Sequence, residues 1–179
     1  HHPLIFSPLK SVTDASSVGQ CFHTLLKNGI SAINAHTNLD QAPGGVNDAL
    51  AAALGLQDVQ VLSPAGEDEM GRPWGLLRVG AVEKQPLEDF LRLVKTRLGS
   101  PGLRYTQGEG PVHRVAVGGG SCGSELPLVA AAGCDTFVTA DVKYNQFRTA
   151  FELGLNLIDA GHFHTENPSM PALADKLRS

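Results

Sequence analysis

The chain has 179 residues, enough for one domain or two small lobes. Fourteen Lys and Arg against eighteen Asp and Glu leave a net charge of −4, which argues against a dedicated nucleic-acid binder carrying a basic stripe. A composition of 42% hydrophobic and 18% charged residues excludes a disordered chain, and no apolar run approaches the roughly 18 residues of a membrane span.

In chain order, Val18, Cys21, Phe22, Leu25 and Leu26 recur at helical spacing, and Asn28-Gly29 closes that helix. Ile30 to Ala35 reads as a strand, and residues 38–45 read as a loop broken by Pro43-Gly44-Gly45. Val46, Ala49, Leu50, Ala53 and Leu54 predict a second helix ended by Gly55. Residues 57–63 predict a short strand, 63–73 a polar surface excursion, and 75–82 another strand. Pro86 suits a first helical turn, Leu87, Phe90, Leu91, Val94 and Leu98 form the apolar stripe, and Gly99 stops it. Residues 100–110, punctuated by Gly and Pro, divide a first part (1–99) from a second (111–179) within one intertwined unit. Strands at 114–117, 136–139 and 155–160 then alternate with helices at 125–132, 145–153 and 171–177. Such alternation predicts an α/β fold with largely parallel or mixed sheets.

An internal echo marks a candidate site. Asn28-Gly29-Ile30 through His36 parallels Leu153-Gly154-Leu155 through His162, and each His is followed four residues later by a carboxylate, Asp40 and Glu166. Imidazole with carboxylate suits Zn, Mn, Fe, Co or Ni, and ligands of open α/β sheets bind beyond the carboxyl ends of strands. A single pair reads more readily as a solvated loop carboxylate beside a structural His, while two pairs in matched context leave the readings level. Each pair is expected to straddle a strand end and a loop. The echo also suggests two related α/β lobes facing a shared site.

The motifs around these residues carry a resemblance. His1-His2-Pro3-Leu4-Ile5-Phe6, Ala35-His36-Thr37-Asn38-Leu39-Asp40 with Ala42-Pro43-Gly44-Gly45-Val46-Asn47, and Asp159-Ala160-Gly161-His162 with Thr165-Glu166 resemble three ordered signatures of the Nif-three-like dinuclear metal-centre family. Its members are often labelled GTP cyclohydrolase 1 type 2 homologs. Residues 114–124 and 139–143 follow the same pattern, so the resemblance covers nearly the whole chain. His1-His2 also fits the tail of an affinity tag, but the Leu-Ile-Phe that follows is unlike a tag junction. The resemblance implies two divalent metal ions held by His1, His2, Asp40, His162 and Glu166, with His36 beside them as a ligand or a supporting group. It implies that Glu166 or Asp40 bridges the metals, and it implies a homo-oligomer, a hexamer. It also implies a strand and helix ahead of His-His-Pro that this sequence does not contain. Asp141-Val142-Lys143-Tyr144-Asn145 departs from the pattern, since relatives often carry His after the Lys.

Three further features bear on function. Gly118-Gly119-Gly120-Ser121-Cys122-Gly123 contains Gly-x-Gly-x-x-Gly, but it lacks the acidic residue at the end of the next strand that a dinucleotide site requires. The amides of Gly119, Gly120 and Ser121 remain a candidate anion-binding turn. Cys21, Cys122 and Cys134 form no Cys-x-x-Cys, which excludes a disulfide scaffold and fits the cytoplasm. His23, His113 and His164 read as structural or surface residues. Together these point to a metal-dependent hydrolase of a nucleotide-like or phosphorylated small molecule. The alternative is a non-enzymatic metal-binding, metal-delivery or regulatory protein. Neither needs a membrane or nucleic acid as partner.

Overall fold

The computed structural model describes residues 3–178. The chain divides into two units, one ending at Leu39 and one beginning at Asp40.

In the first unit the main element is α1 (Ser17–Lys27). Ser16 caps it, its hydroxyl accepting from the Gly19 amide at 3.1 Å, and Lys27 in the last turn complements the helix dipole. Residues 30–35 do not form the expected strand. Ile33 is 95% exposed, and no strand among the described residues pairs with this segment. An apolar run gives a residue the tendency to extend, but a strand exists only where a neighbour takes its backbone hydrogen bonds. A five-residue helix, α2 (Thr37–Gln41), replaces the expected start of a loop.

The second unit is built on one mixed sheet. After α3 (Val46–Leu54) come β1 (Gln57–Leu62), a small hairpin of β2 (Gly66–Glu67) and β3 (Pro73–Trp74), and β4 (Leu77–Gln85). Next are α4 (Leu87–Leu98), β5 (Arg104–Thr106), β6 (Val112–Val117), α5 (Leu126–Ala131) and β7 (Thr136–Thr139). The chain ends with α6 (Tyr144–Glu152), β8 (Asn156–Asp159), α7 (His162–Glu166) and α8 (Met170–Arg178). The sheet order is β1-β4-β6-β7-β8-β5. Only β6–β7 and β7–β8 are parallel, each pair joined by a helical crossover, α5 and α6 respectively; the other three pairings are antiparallel. Strands from both sides of residues 100–110 lie in this one sheet, and those residues themselves supply the edge strand β5.

Alternation along the strands fills two cores. Val115, Val117, Val138 and Ile158 point to α3 and α4, packing on Leu50, Leu54, Phe90 and Val94. Ala116, Phe137 and Leu157 point to the other face, against Leu126, Val129 and Ala150 of α5 and α6. No helix among the described residues is long and apolar enough to cross a membrane.

A buried arginine clasps the N-terminal end of β4. Arg78 is 1% exposed and pairs through Nε and Nη2 with Asp48 of α3. Its Nη1 donates to the Gly75 carbonyl at 2.7 Å, and Nη2 donates to the Gln41 and Ala42 carbonyls at 3.2 and 3.3 Å. The guanidinium thereby ties the C-terminal end of α2 to the sheet.

Candidate functional site

The carboxyl ends of β6, β7 and β8 lie side by side, and the loops after them carry the chemistry. After β8 the chain turns at Gly161 into α7. His162 opens that helix and Glu166 ends it, so the pair sits one turn apart on one helical face rather than across a strand end and a loop. His162 Nε2 lies 2.9 Å from Glu166 Oε1. The other ring nitrogen, Nδ1, lies 2.7 Å from Asp141 Oδ2 in the loop after β7.

These neighbours set the charge of the ring. Burial is the largest single influence on His162 and works against its charged form, but the Asp141 hydrogen bond and the Glu166 and Asp141 charges together outweigh it. The pKa is therefore raised above its usual value. Asp141 is held for this role. Its φ of 51° is in the left-handed region that few non-glycine residues adopt. The next amide, Val142, donates at 3.0 Å to Asp159 at the end of β8, whose other oxygen accepts from Gly161 at 3.1 Å. Asp159, 6% exposed, thus ties the loop bearing Asp141 to the loop leading into His162.

The glycine turn after β6 lies against the pair. Gly120 has a φ of +67°, and a Cβ there would stand 2.7 Å from Glu166 Oε1 and 3.1 Å from His162 Nε2. Glycine is required on both counts. Of the three amides of the candidate anion-binding turn, two have partners within the chain. Gly119 donates to Asn47 Oδ1 at 2.6 Å, and Gly120 donates to Thr165 Oγ1 at 3.0 Å. Through them the turn braces the site.

Asp40 lies in α2 and is 7% exposed. Its charge and that of Glu166 both act on the buried Cys122 thiol, which burial above all, then the Asp40, Glu125 and Glu166 carboxylates, push up to about 12. Such a thiol is protonated and inert at neutral pH. Alkylation of the folded chain near pH 7 should therefore label exposed Cys21 and spare Cys122; peptide mass spectrometry showing early label on Cys122 would overturn this.

Of the expected site residues, the structure brings His162 and Glu166 together. His36 belongs to the first unit, where its ring stands edge-on to Phe6 with centroids 6.0 Å apart. His1 and His2 lie outside the described residues. Among the described residues no group of three or more His, Cys, Asp or Glu side chains is close enough to hold a metal ion by itself. The pair does fit as part of such a site. A nitrogen and an oxygen 2.9 Å apart lie within the bite of two ligands each roughly 2.0–2.2 Å from a shared ion, and both face the space that Gly120 keeps clear. The same distance serves an ion pair when the ring is protonated.

Spacing and residue type give no role to Asp141, Asp159, Asn47 or Thr165, whose parts appear only in the folded chain. A signal for Asp141 was present: it stands just past the strand before β8 and so at a neighbouring carboxyl end.

Comparison with known proteins adds the following. The description Duf34/NIF3 (NGG1p interacting factor 3) matches residues 1–179. A Nostoc sp. protein named GTP cyclohydrolase 1 type 2 homolog is 38% identical over 183 residues, covering 100% of this chain and 68% of that protein. A Streptomyces coelicolor protein of the same name is 40% identical over 174 residues, covering 94% of this chain and 60% of that protein. Among solved structures, a Bacillus cereus protein related to NIF3 superposes with a TM-score of 0.87 at 25% identity, covering 99% of this chain and 76% of that one.

Proposed function

The chain belongs to the Duf34/NIF3 family, and on that premise we propose that it binds divalent transition-metal ions and acts as a metal-dependent hydrolase. The substrate class is a nucleotide-like or phosphorylated small molecule, for which the relatives' name, GTP cyclohydrolase 1 type 2 homolog, makes GTP the first probe. The observation that carries the reading is the His162–Glu166 pair, with Asp141 behind the ring and Gly120 clearing the space in front. Asp40, His1 and His2 complete the proposed ligand set for two metals. Bound metal would supply Lewis-acid polarisation and a water acidified toward neutrality.

The chain's own residues have separate tasks. Asp141 accepts the Nδ1 proton of His162 and so presents Nε2 outward with its lone pair, as carboxylates do behind ligating imidazoles. Glu166 presents Oε1 from the same helical face. The buried surroundings of Cys122 keep a competing thiolate out of the site. A cytoplasmic homo-hexamer is part of the same proposal.

A second reading, metal storage or delivery without catalysis, is favoured by the engaged amides of Gly119 and Gly120, which leave fewer groups to hold a phosphate. The test begins with elemental analysis of the chain before and after dialysis against a mild chelator, followed by a hydrolysis screen with GTP and simple phosphoesters. About two retained metals per chain with turnover is the expected result. Retained metal with no turnover favours storage or delivery, and a chain that takes up no metal overturns both readings.

A further inference from the structure

Asn47 is the second residue of α3, and its surface is fully buried. An amide in that position costs stability unless each of its polar atoms finds a partner. Asn47 finds three. Its Nδ2 donates to the Asp40 carbonyl at 3.1 Å and to the Leu76 carbonyl, and its Oδ1 accepts from the Gly119 amide at 2.6 Å. The next amide of that turn, Gly120, donates to Thr165 Oγ1 at 3.0 Å, and the Thr165 hydroxyl in turn reaches the His162 carbonyl at 2.9 Å. A continuous set of buried hydrogen bonds therefore runs from the backbone of Asp40, through Asn47 and the glycine turn, to the helix carrying His162 and Glu166.

We infer that Asn47 is a positioning residue: it sets the place of the Asp40 backbone relative to the turn beneath His162 and Glu166. This rests on the metal-binding reading above, in which Asp40 and the His–Glu pair serve one centre. Two observations separate this role from general support of the fold. First, the C-terminal end of α2 has an independent anchor, since Arg78 holds the Gln41 and Ala42 carbonyls without help from Asn47. Second, Asn47 has little value as a helix former, and the polar atoms of its side chain all go to backbone groups outside α3, those of Asp40, Leu76 and Gly119. Metal ligands must hold their geometry closely, so loss of the link acts on binding more than on folding.

The test uses cobalt(II), whose visible absorption reports coordination geometry, titrated into the 179-residue chain. Asn47→Ala is expected to weaken cobalt binding by about tenfold or more and to change the absorption band, with circular dichroism unchanged. Asn47→Asp keeps the acceptor for Gly119 but sets a carboxylate oxygen against two carbonyls, and should do the same. Thr165→Val removes the acceptor at the far end of the relay and should act in the same direction, which decides the matter if the Asn47 variants do not fold. Val94→Ala, a core change in α4, is the control for destabilisation alone and should leave the band unchanged. Asp40→Ala is run in parallel. If it loses cobalt while the folded Asn47 and Thr165 variants bind like wild type, the inference on Asn47 falls and the metal reading stands. If Asp40→Ala itself binds cobalt like wild type, Asp40 is no ligand, and the inference on Asn47 falls together with the place of Asp40 in the proposed ligand set.

Discussion

His162→Ala is expected to lower metal affinity by more than about 100-fold, beyond the 10–100-fold typical of losing a partner behind a ligand. The variant removes the imidazole that faces the space cleared by Gly120 and leaves Glu166 as the one remaining side chain of the pair. Asp141→Asn should cost about 10–100-fold, since it weakens the hold on Nδ1 while leaving the ligand in place. The pH dependence separates the two. A metal takes the neutral imidazole, so protons compete with it, and the raised pKa of His162 extends that competition to higher pH than for an ordinary His. Wild-type affinity should therefore rise with pH across about pH 5 to 8, and Asp141→Asn should shift the rise to lower pH while lowering its plateau. The metal-free chain behaves in the opposite sense. Charged His162 is favoured by its carboxylate neighbours, so its stabilising contribution is full below the unfolded pKa of 6.5 and is lost as pH rises through the higher folded value. Zinc titrations and thermal melts across this range check both. An affinity that does not change with pH would remove His162 from the site.

Arg78→Met should destabilise the second unit by about 3–5 kcal/mol, the usual cost of removing one partner of a buried ion pair. The change leaves the Asp48 carboxylate without its guanidinium and deprives the Gly75, Gln41 and Ala42 carbonyls of a donor. Methionine matches much of the volume, so the loss reports the polar network more than a cavity. Urea unfolding followed by circular dichroism measures it. A change below about 1 kcal/mol would mean that water satisfies the partly exposed Asp48 and the vacated carbonyls. Because Arg78 holds the segment directly after Asp40, the folded fraction of this variant should also bind metal less tightly.

Neither effect is readable from spacing alone. The stripe Leu87, Phe90, Val94 and Leu98 announces α4, and it is buried as its periodicity requires. The strands β6 and β8 likewise fall where apolar runs sit between glycines, and β7 follows Gly133. Residues 30–35 show where this reasoning stops. Their apolar content matches that of residues 155–160 around β8, yet β8 has β7 and β5 on either side, and no strand among the described residues lies beside 30–35. Arg104 to Thr106 shows the converse, since a three-residue edge strand among turn residues has too few positions to display a period.

The site divides in the same way. His162, Glu166 and Asp40 stand out because imidazole and carboxylate at matched spacing are rare enough to notice, and the ordered motifs around them identify the family. Helix period then sets the His162–Glu166 pairing within α7. Asp141, Asp159 and Asn47 are ordinary polar residues in the sequence. Each acquires its role from a partner 17 to 72 residues away in the chain: His162 for Asp141, Val142 for Asp159, and Gly119 for Asn47. Local chemistry, helix and strand periods and glycine stops act over a few residues, and the chain itself determines them. Which polar groups meet across loops depends on strand order and on which backbone amides remain to be satisfied, and only the folded sheet decides that.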